Sequence, residues 1–488
     1  MSEDNGMRSK NENAIVLLIY PPVPQDAMYS SALGGGAPHI PLGIYYIASY
    51  VRTHGFRAHC IDAEAQNLNN SEIISKIKEI TPDIIGLSST TFSFQGATTL
   101  AQEIKITFPH LPIVIGGPHA TTNIESVMNN PVFDYLIYGE GEETFVDLLH
   151  ALKRKGDEKK EDVFSSINGL AYRKNDIVII NQPRDYISDL DTIPFPAYDL
   201  IPDLTVYRPH PANYHFTPIV NVLTSRGCPY NCTFCCRISG QKLRQRSPEN
   251  VVKEIELLVK QYGVREIAFA DETLTIGKQR IQNIFTLLQQ KGIQIAWTCT
   301  TRVNTVDYKT LAFMKKMGCW QIKFGIESGD ESILKIIQKN IDLKTAREVI
   351  SYCKELKIKT LGYFIIGHPG ETKESIEKTI HYALDVPLDD ISVMINTPMR
   401  GTVQYDEVDQ YGTLSSTNTN EFNLLSPIFI PHGLNSNYLI QSQKEMYRRF
   451  YFRPKTFFHL INDFMSPNRI NRFKSYVTHL KLIFTKQN

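Results

Sequence analysis

Three cysteines, Cys228, Cys232 and Cys235, lie in the stretch TSRGCPYNCTFCCR with the spacing C-x3-C-x2-C. Thiolates packed this closely suggest a metal site. A structural zinc ion would pair them with a second Cys or His pair elsewhere, and the sequence has no second C-x-x-C or H-x-H pair. A disulfide between such near neighbours is strained and out of place in a reducing compartment. A cubane of four irons normally takes four cysteines. Three leave one iron open to an external ligand, and the cluster can then donate an electron to a bound molecule. Cys236 follows at once. Its side chain points away from its neighbour's, so it reads as a non-ligand, with a free thiol near the substrate as the other reading.

The loop needs rigid elements to hold it. It follows the apolar run PIVNVLTS (Pro218–Ser225), and further strands read as EIAFAD, IAWTCTT, CWQIKFGIE, IKTLGYFIIG and DDISVMIN. Amphipathic helices separate them; SPENVVKEIELLVKQYG has Pro248 near its start and Gly263 at its end, the expected punctuation. Six βα units in a row predict a parallel sheet curled into a full or partial barrel, whose sites gather at the carboxyl ends of the strands. The cysteine loop therefore sits on the functional rim. Other polar or small residues fall at the same rim: Asp271, Glu272 and Thr273 after the second strand, Arg302 after the third, Glu327 and Ser328 after the fourth, Gly367 and Gly370 after the fifth.

Upstream, five continuous apolar strands alternate with amphipathic helices from Ile15 onward. That pattern predicts a parallel sheet covered on both faces, a doubly wound fold. Its strand ends are small or hydroxylated at Ser88, Ser89, Thr90, Gly116, Gly117, Gly139 and Gly141, which leaves room for a flat ligand to approach the sheet. The expected class is α/β. Residues 1–13 read as a disordered tail, 14–152 as the doubly wound domain and 153–215 as a Pro-rich linker with a small hairpin. A partial (β/α)6 barrel follows over 216–400, and a small helical C-terminal region over 401–488.

Composition is that of an ordinary globular protein of 488 residues with a net charge of +1, which gives no field for nucleic acid. No apolar run approaches the ~20 residues of a membrane helix, and the N-terminus MSEDNGMRSKNENA is not a signal peptide, so a cytoplasmic location is expected. Eight cysteines are sparse for this length; Cys60, Cys299, Cys319 and Cys353 read as buried structural thiols. The tail NRINRFKSYVTHLKLIFTKQN is basic and somewhat amphipathic. It reads as a solvated final helix, with contact to a membrane as the other reading.

The cysteine spacing after the first strand of a curled βα sheet resembles the radical S-adenosylmethionine (radical SAM) superfamily. The doubly wound domain ahead of it, with PLGIYYIASYVRTHG, IIGLSSTTFSF, VIGGPHAT and YGEGEETF, and the later MYRRFYFRP, resembles that superfamily's cobalamin-binding subgroup. The resemblance implies a [4Fe-4S] cluster on Cys228, Cys232 and Cys235, with SAM chelating the open iron. It puts Phe234 near the adenine, Asp271, Glu272 and Thr273 by the SAM ammonium group, and Glu327 and Ser328 by the ribose or carboxylate. Arg302 also falls in the cofactor site, and Gly367 and Gly370 let backbone approach the adenine. The small strand ends of the first domain would hold cobalamin. No D-x-H-x-x-G motif follows the first strand; APHIPLG comes nearest, with Ala37 in place of Asp and Gly43 one residue late. His39, His54 and His119 accordingly read as structural, with no protein imidazole beneath cobalt. At TPMRGT, relatives often carry Pro where this chain has Arg400.

The implied activity is methyl transfer to an unactivated carbon of a small molecule through a 5′-deoxyadenosyl radical, with electrons from a flavodoxin or ferredoxin. The alternatives are a non-methylating radical enzyme, such as the anaerobic Mg-protoporphyrin monomethyl ester cyclase, and a non-enzymatic iron–sulfur carrier or redox sensor.

Overall fold

The computed structural model describes residues 14–23, 39–153, 160–209, 213–418, 421–422 and 425–453. The expected tail at 1–13, Ala37 of APHIPLG, Pro454 of MYRRFYFRP and the basic stretch 468–488 lie outside the described residues. The chain divides into two compact units, one centred on Pro41–Tyr186 together with Ile193–Pro202, the other on the chain from Asp203 onward together with Ile187–Thr192.

The first unit runs β1 (Ile15–Tyr20), α1 (Leu42–Thr53), β2 (Arg57–Asp62), α2 (Asn70–Ile80), β3 (Ile84–Ser88), α3 (Phe94–Thr107), β4 (Ile113–Gly116), α4 (Pro118–Thr122), α5 (Ile124–Met128), β5 (Tyr135–Ile137), α6 (Glu142–Lys153), α7 (Lys160–Ser165), β6 (Leu170–Lys174) and β7 (Ile177–Ile180). The sheet order is β2-β1-β3-β4-β5-β6-β7, parallel from β2 to β5. The strand order reverses between β1 and β3, and ligands of such sheets bind at this switch point. One face of the sheet packs Leu17, Ile19, Ile85, Leu87, Ile113 and Ile115 against Ile73 and Ile77 of α2 and Leu100 and Ile104 of α3. Asn69 and Glu72 form a reciprocal capping box at the start of α2. The hairpin read in the linking stretch is β6–β7, and it joins this sheet, pairing antiparallel with β5. It covers an edge that would otherwise present unpaired backbone groups.

The second unit contains β8 (Ile219–Val222), β9 (Ser225–Arg226), β10 (Arg244–Gln245), α8 (Pro248–Tyr262), β11 (Glu266–Phe269), α9 (Lys278–Gln290), β12 (Ala296–Thr301), α10 (Tyr308–Lys316), β13 (Cys319–Glu327), α11 (Glu331–Ile336), α12 (Leu343–Glu355), β14 (Lys359–Ile366), α13 (Lys373–Asp385) and β15 (Asp390–Ile395). The six strands β8 and β11–β15 pair in sequence order and all in parallel. The sheet has two free edges, so the barrel is partial. Helices cover its outer face: Phe285 of α9 stacks on Trp297 of β12 with centroids 4.5 Å apart, and Phe269 of β11 meets both rings.

After β15 come the single turns α14 (Val403–Asp406) and α15 (Val408–Tyr411), the ribbon β16 (Gly412–Leu414) with β17 (Phe429–Pro431), and α16 (Ser436–Tyr451). The small helical region thus also contains an antiparallel ribbon. α16 covers the β15 edge through side chains. The amide of Val393 donates to Tyr447 Oη at 2.8 Å, and Gln443 Nε2 donates to the carbonyl of Val393 at 2.8 Å.

Candidate active site

The cysteine loop is clamped at its base. Ser225 and Arg226 pair antiparallel with Gln245 and Arg244, so β9 and β10 close the loop as a short ribbon. Gly227 opens it at φ +89°, where a Cβ would lie 2.4 Å from the carbonyl oxygen of Lys242; only glycine fits such a turn. Inside, the Cys228 amide donates to the carbonyl of Gly240 at 3.1 Å, and the Cys235 amide to that of Cys232 at 3.2 Å.

Cys232 is buried, Cys228 half-buried and Cys235 exposed. The Cys235 thiol hydrogen-bonds to the Cys232 sulfur and, with the Lys339 and Arg302 cations, draws the Cys232 pKa below the usual thiol value against the opposing effect of burial. The same shared proton pushes Cys235 up. A thiolate at neutral pH is the metal-binding form. Among the described residues, no three His, Cys, Asp or Glu side chains converge on one point as a single ion requires; the thiols of a cubane bind separate irons. The Cys236 thiol turns to the carbonyl oxygen of Arg400 at 3.6 Å, and burial raises it to about 11.

Two cations stand behind the loop. Arg302, buried just past β12, donates from Nη1 to Cys232 Sγ at 3.4 Å and from Nη2 to the carbonyl of Lys339, with its guanidinium 3.8 Å from the Tyr230 ring centroid. Lys339, just past α11, pairs with Glu327 at 2.8 Å, both buried, and its ammonium lies 5.9 Å from the Phe234 ring. Glu327 ends β13 at φ +70° beside a register shift, an uncommon conformation for a residue with a Cβ.

The other strand-end residues divide in role. Asp271 is buried, and its carboxylate accepts from the Thr224 amide at 3.2 Å, from Thr224 Oγ1 at 2.8 Å and from the Ser225 hydroxyl. It ties the turn from β8 into β9 to the end of β11 and so holds the loop from behind. Burial raises its pKa. Glu272 is exposed, and the Thr273 hydroxyl donates to the Glu272 carbonyl at 2.7 Å. Ser328 meets Thr379 of α13 at 3.1 Å. Gly367 and Gly370 bracket His368, whose ring lies 5.6 Å from that of Phe234. The Gly367 amide donates to Glu371 Oε2 at 2.5 Å and the His368 amide at 3.2 Å, while Gln404 Nε2 lies 3.4 Å from His368 Nδ1. Burial lowers His368 to about 3 and raises Glu371 to about 8, so both are neutral at pH 7. Four buried atoms in this group, His368 Nε2, Glu371 Oε1, Asn396 Nδ2 and Gln404 Oε1, have no hydrogen-bond partner among the described residues.

Sequence reasoning had not singled out Tyr230, Lys339, His368, Glu371 or Gln404. Tyr230 sits inside the cysteine motif, and His368 and Glu371 sit beside the strand-ending glycines, so their positions are readable; Lys339 and Gln404 reach the site from segments with no motif.

In the first unit, Ser88–Thr90 and Gly116–Gly117 come together at the ends of β3 and β4. The Ser89 amide donates to Gly116 O at 2.9 Å and the His119 amide to Ser89 O at 3.1 Å. Gly117, at φ +94°, has no room for a Cβ, which would lie 2.8 Å from Ser89 O and 2.9 Å from Ser89 N. Thr90 and Ser93 exchange hydrogen bonds at the entry to α3. Gly139 has open space where a Cβ would sit and donates its amide to Thr121 Oγ1 at 3.2 Å. Gly141 packs on Ile47 of α1 rather than beside the other glycines. His119 stacks on Phe94 at 4.2 Å, and His54 Nδ1 lies 2.9 Å from Tyr50 O. His39 belongs to the second unit, where burial and Lys323 lower it to about 4.

Residues 222–383 match the Radical SAM superfamily and residues 35–149 the B12 binding domain. An uncharacterized methyltransferase of Pyrococcus horikoshii is 36% identical over 451 residues, 92% of this chain and 94% of its own. The chain belongs to the cobalamin-binding radical SAM family. The anaerobic magnesium-protoporphyrin IX monomethyl ester cyclase of Cereibacter sphaeroides, another relative, is 29% identical over 86% of this chain and 68% of its own. Among solved structures, the cobalamin-dependent S-adenosylmethionine radical enzyme OxsB, with aqua-cobalamin bound, superposes with a TM-score of 0.65 at 21% identity. The match covers 81% of this chain and about half of OxsB, 55%.

The family's cofactors are a [4Fe-4S] cluster, SAM and cobalamin, and the residues present suit them. Three thiols lie in one clamped loop; buried polar atoms beside Phe234 lack partners that a donor- and acceptor-rich ligand supplies; and small residues line the switch-point side of the first sheet.

Proposed function

We propose that this protein is a cobalamin-dependent radical SAM methyltransferase that adds a methyl group to an unactivated carbon of a small molecule. The observation that carries the reading is the clamped loop with three thiols, beside a cation-rich rim, in a chain matched over 92% of its length by a named methyltransferase. When bound, the three cofactors supply one-electron reduction, a carbon-centred radical and a transferable methyl group.

The chain's own residues have separable tasks. Cys228, Cys232 and Cys235 hold the irons, and Asp271 fixes the loop that carries them. The Lys339–Glu327 pair offers opposite charges to the ammonium and carboxylate of an amino-acid moiety. Phe234 and His368 supply flat faces for a purine, and neighbouring Gln404 and Asn396 supply amide donors and acceptors. Asp271 and Ser328, whose oxygens are engaged within the protein, act from behind the site. Ser88, Ser89, Thr90, Gly116, Gly117 and Gly139 cradle cobalamin. In this reading residues 14–152, with the β6–β7 hairpin added to their sheet, carry cobalamin, the rest of 153–215 connects, 216–400 carry the radical chemistry and 401–488 close the substrate side. The electron comes from a flavodoxin or ferredoxin, whose compartment is the cytoplasm. Among the described residues, no helix is long and apolar enough to cross a membrane.

The similarity to the cyclase supports a second reading, oxidative ring formation. The test is anaerobic purification with cobalamin supplied, iron and corrinoid measured on the same sample, then product analysis with SAM and reductant. Methyl transfer predicts deoxyadenosine and a product heavier by one methylene. Loss of hydrogen or gain of oxygen selects the cyclase reading. Bound zinc, or a cluster that yields no deoxyadenosine, overturns both.

A further inference from the structure

Arg302 is buried, at 5% exposure, against a cluster cysteine. Each of its nitrogens is engaged: Nη1 with Cys232 Sγ at 3.4 Å, Nη2 with the carbonyl of Lys339, and Nε with Asn304 Oδ1 at 3.3 Å. One face lies over Tyr230. Three of its five N–H groups are thus committed to the chain itself. The residue is also anchored from its backbone, since its carbonyl accepts from Thr305 Oγ1 at 2.8 Å within a buried trio of hydroxyls from Thr275, Thr301 and Thr305.

Its charge is the informative part. Nearby Lys339 has its carboxylate in Glu327. Arg302 forms no ion pair with a carboxylate among the described residues; its polar partners are a thiol, a carbonyl and a carboxamide. A buried cation without a counter-charge costs several kcal/mol. In the cluster reading, the compensating anion would be the set of cysteine thiolates with their irons.

We propose that Arg302 sets the reduction potential of the cluster by donating a hydrogen bond to the Cys232 sulfur. The inference rests on the cluster reading above. One electron leaves the flavodoxin or ferredoxin and enters the cluster, which gains one negative charge. A fixed cation and an N–H···S bond stabilise that charge more than the oxidised state, and hydrogen bonds to cluster sulfurs are among the determinants of the potential. Arg302 therefore brings the couple within reach of a biological donor.

The experiment is an EPR-monitored redox titration of the full chain, reconstituted with iron and sulfide and without SAM, for wild type, Arg302→Lys and Arg302→Gln. Arg302→Gln is expected to lower the ratio of reduced to oxidised cluster about tenfold at a fixed poise, a fall of ~59 mV in the midpoint of a one-electron couple. Arg302→Lys, which keeps the charge but not the fork, falls between. An unchanged midpoint in an Arg302→Gln protein with full iron content overturns the proposal. So does loss of iron from both variants, which would assign Arg302 to holding the loop. Wild-type protein with no four-iron signal would instead count against the cluster reading.

Discussion

The Cys236 sulfur lies 3.6 Å from the carbonyl oxygen of Arg400, while the adjacent Cys235 shares a hydrogen bond with Cys232. Neighbouring thiols thus serve opposite sides of the loop. Cys236→Ser should retain wild-type iron after anaerobic reconstitution, because a hydroxyl can still donate to Arg400. Cys228→Ala, Cys232→Ala and Cys235→Ala should each lose most of the iron. Iron and sulfide content, read with the absorbance of the cluster, decides between them; a Cys236→Ser protein as empty as Cys232→Ala would make Cys236 a ligand.

Asp271 gives a second test, because its carboxylate is spent on the chain rather than on solvent. It gathers the Thr224 amide and hydroxyl and the Ser225 hydroxyl. Asp271→Ala leaves a buried amide without a partner, at about 1–3 kcal/mol. Chemical denaturation should show that loss. The cluster should also become more labile to chelator, since the turn from β8 into β9 is no longer tied to the end of β11.

Much of this architecture is legible in the residues. The period of apolar runs gives both parallel sheets, and the Cys spacing gives the loop. What the sequence hides is short or distant. β9 and β10 are two residues each, too brief for any periodicity, and are defined only by pairing with one another across the loop. Lys339 and Gln404 reach the site from segments with no motif. For Asp271, strand-end position is readable, but whether the carboxylate faces a ligand or its own backbone depends on the turn that follows.

In the first unit, Gly117 allows β4 and its following turn to press against Ser89. A methyl group there would lie 2.8 Å from Ser89 O and 2.9 Å from Ser89 N, both backbone atoms, at φ +94°. Neither can yield cheaply, so Gly117→Ala should cost about 1–3 kcal/mol in backbone strain. Corrinoid retained after gel filtration should fall in step with thermal stability. Gly139→Ala has open space around its Cβ and meets only the φ +78° penalty, so it should lose less on both measures.

Glu371 makes stability depend on pH. Burial raises its pKa to about 8 from 4.5, despite hydrogen bonds from the Gly367 and His368 amides, and the Asp330 charge adds to the rise. The neighbouring titratable ring, His368, is kept neutral by burial down to about 3. The folded protein therefore holds a proton on Glu371 that the unfolded chain releases near pH 4.5. Between these two values the native state binds more protons, so stability is greatest at the acid end and falls as pH rises through about 8. At its steepest the slope approaches about 1.4 kcal/mol per pH unit. Glu371→Gln keeps the acceptor oxygen for the two amides and removes the titration. Urea denaturation at pH 5.5, 7 and 8.5 should show the wild type weakening across the series and the variant holding nearly level; parallel slopes for the two proteins would show that Glu371 titrates normally in the fold.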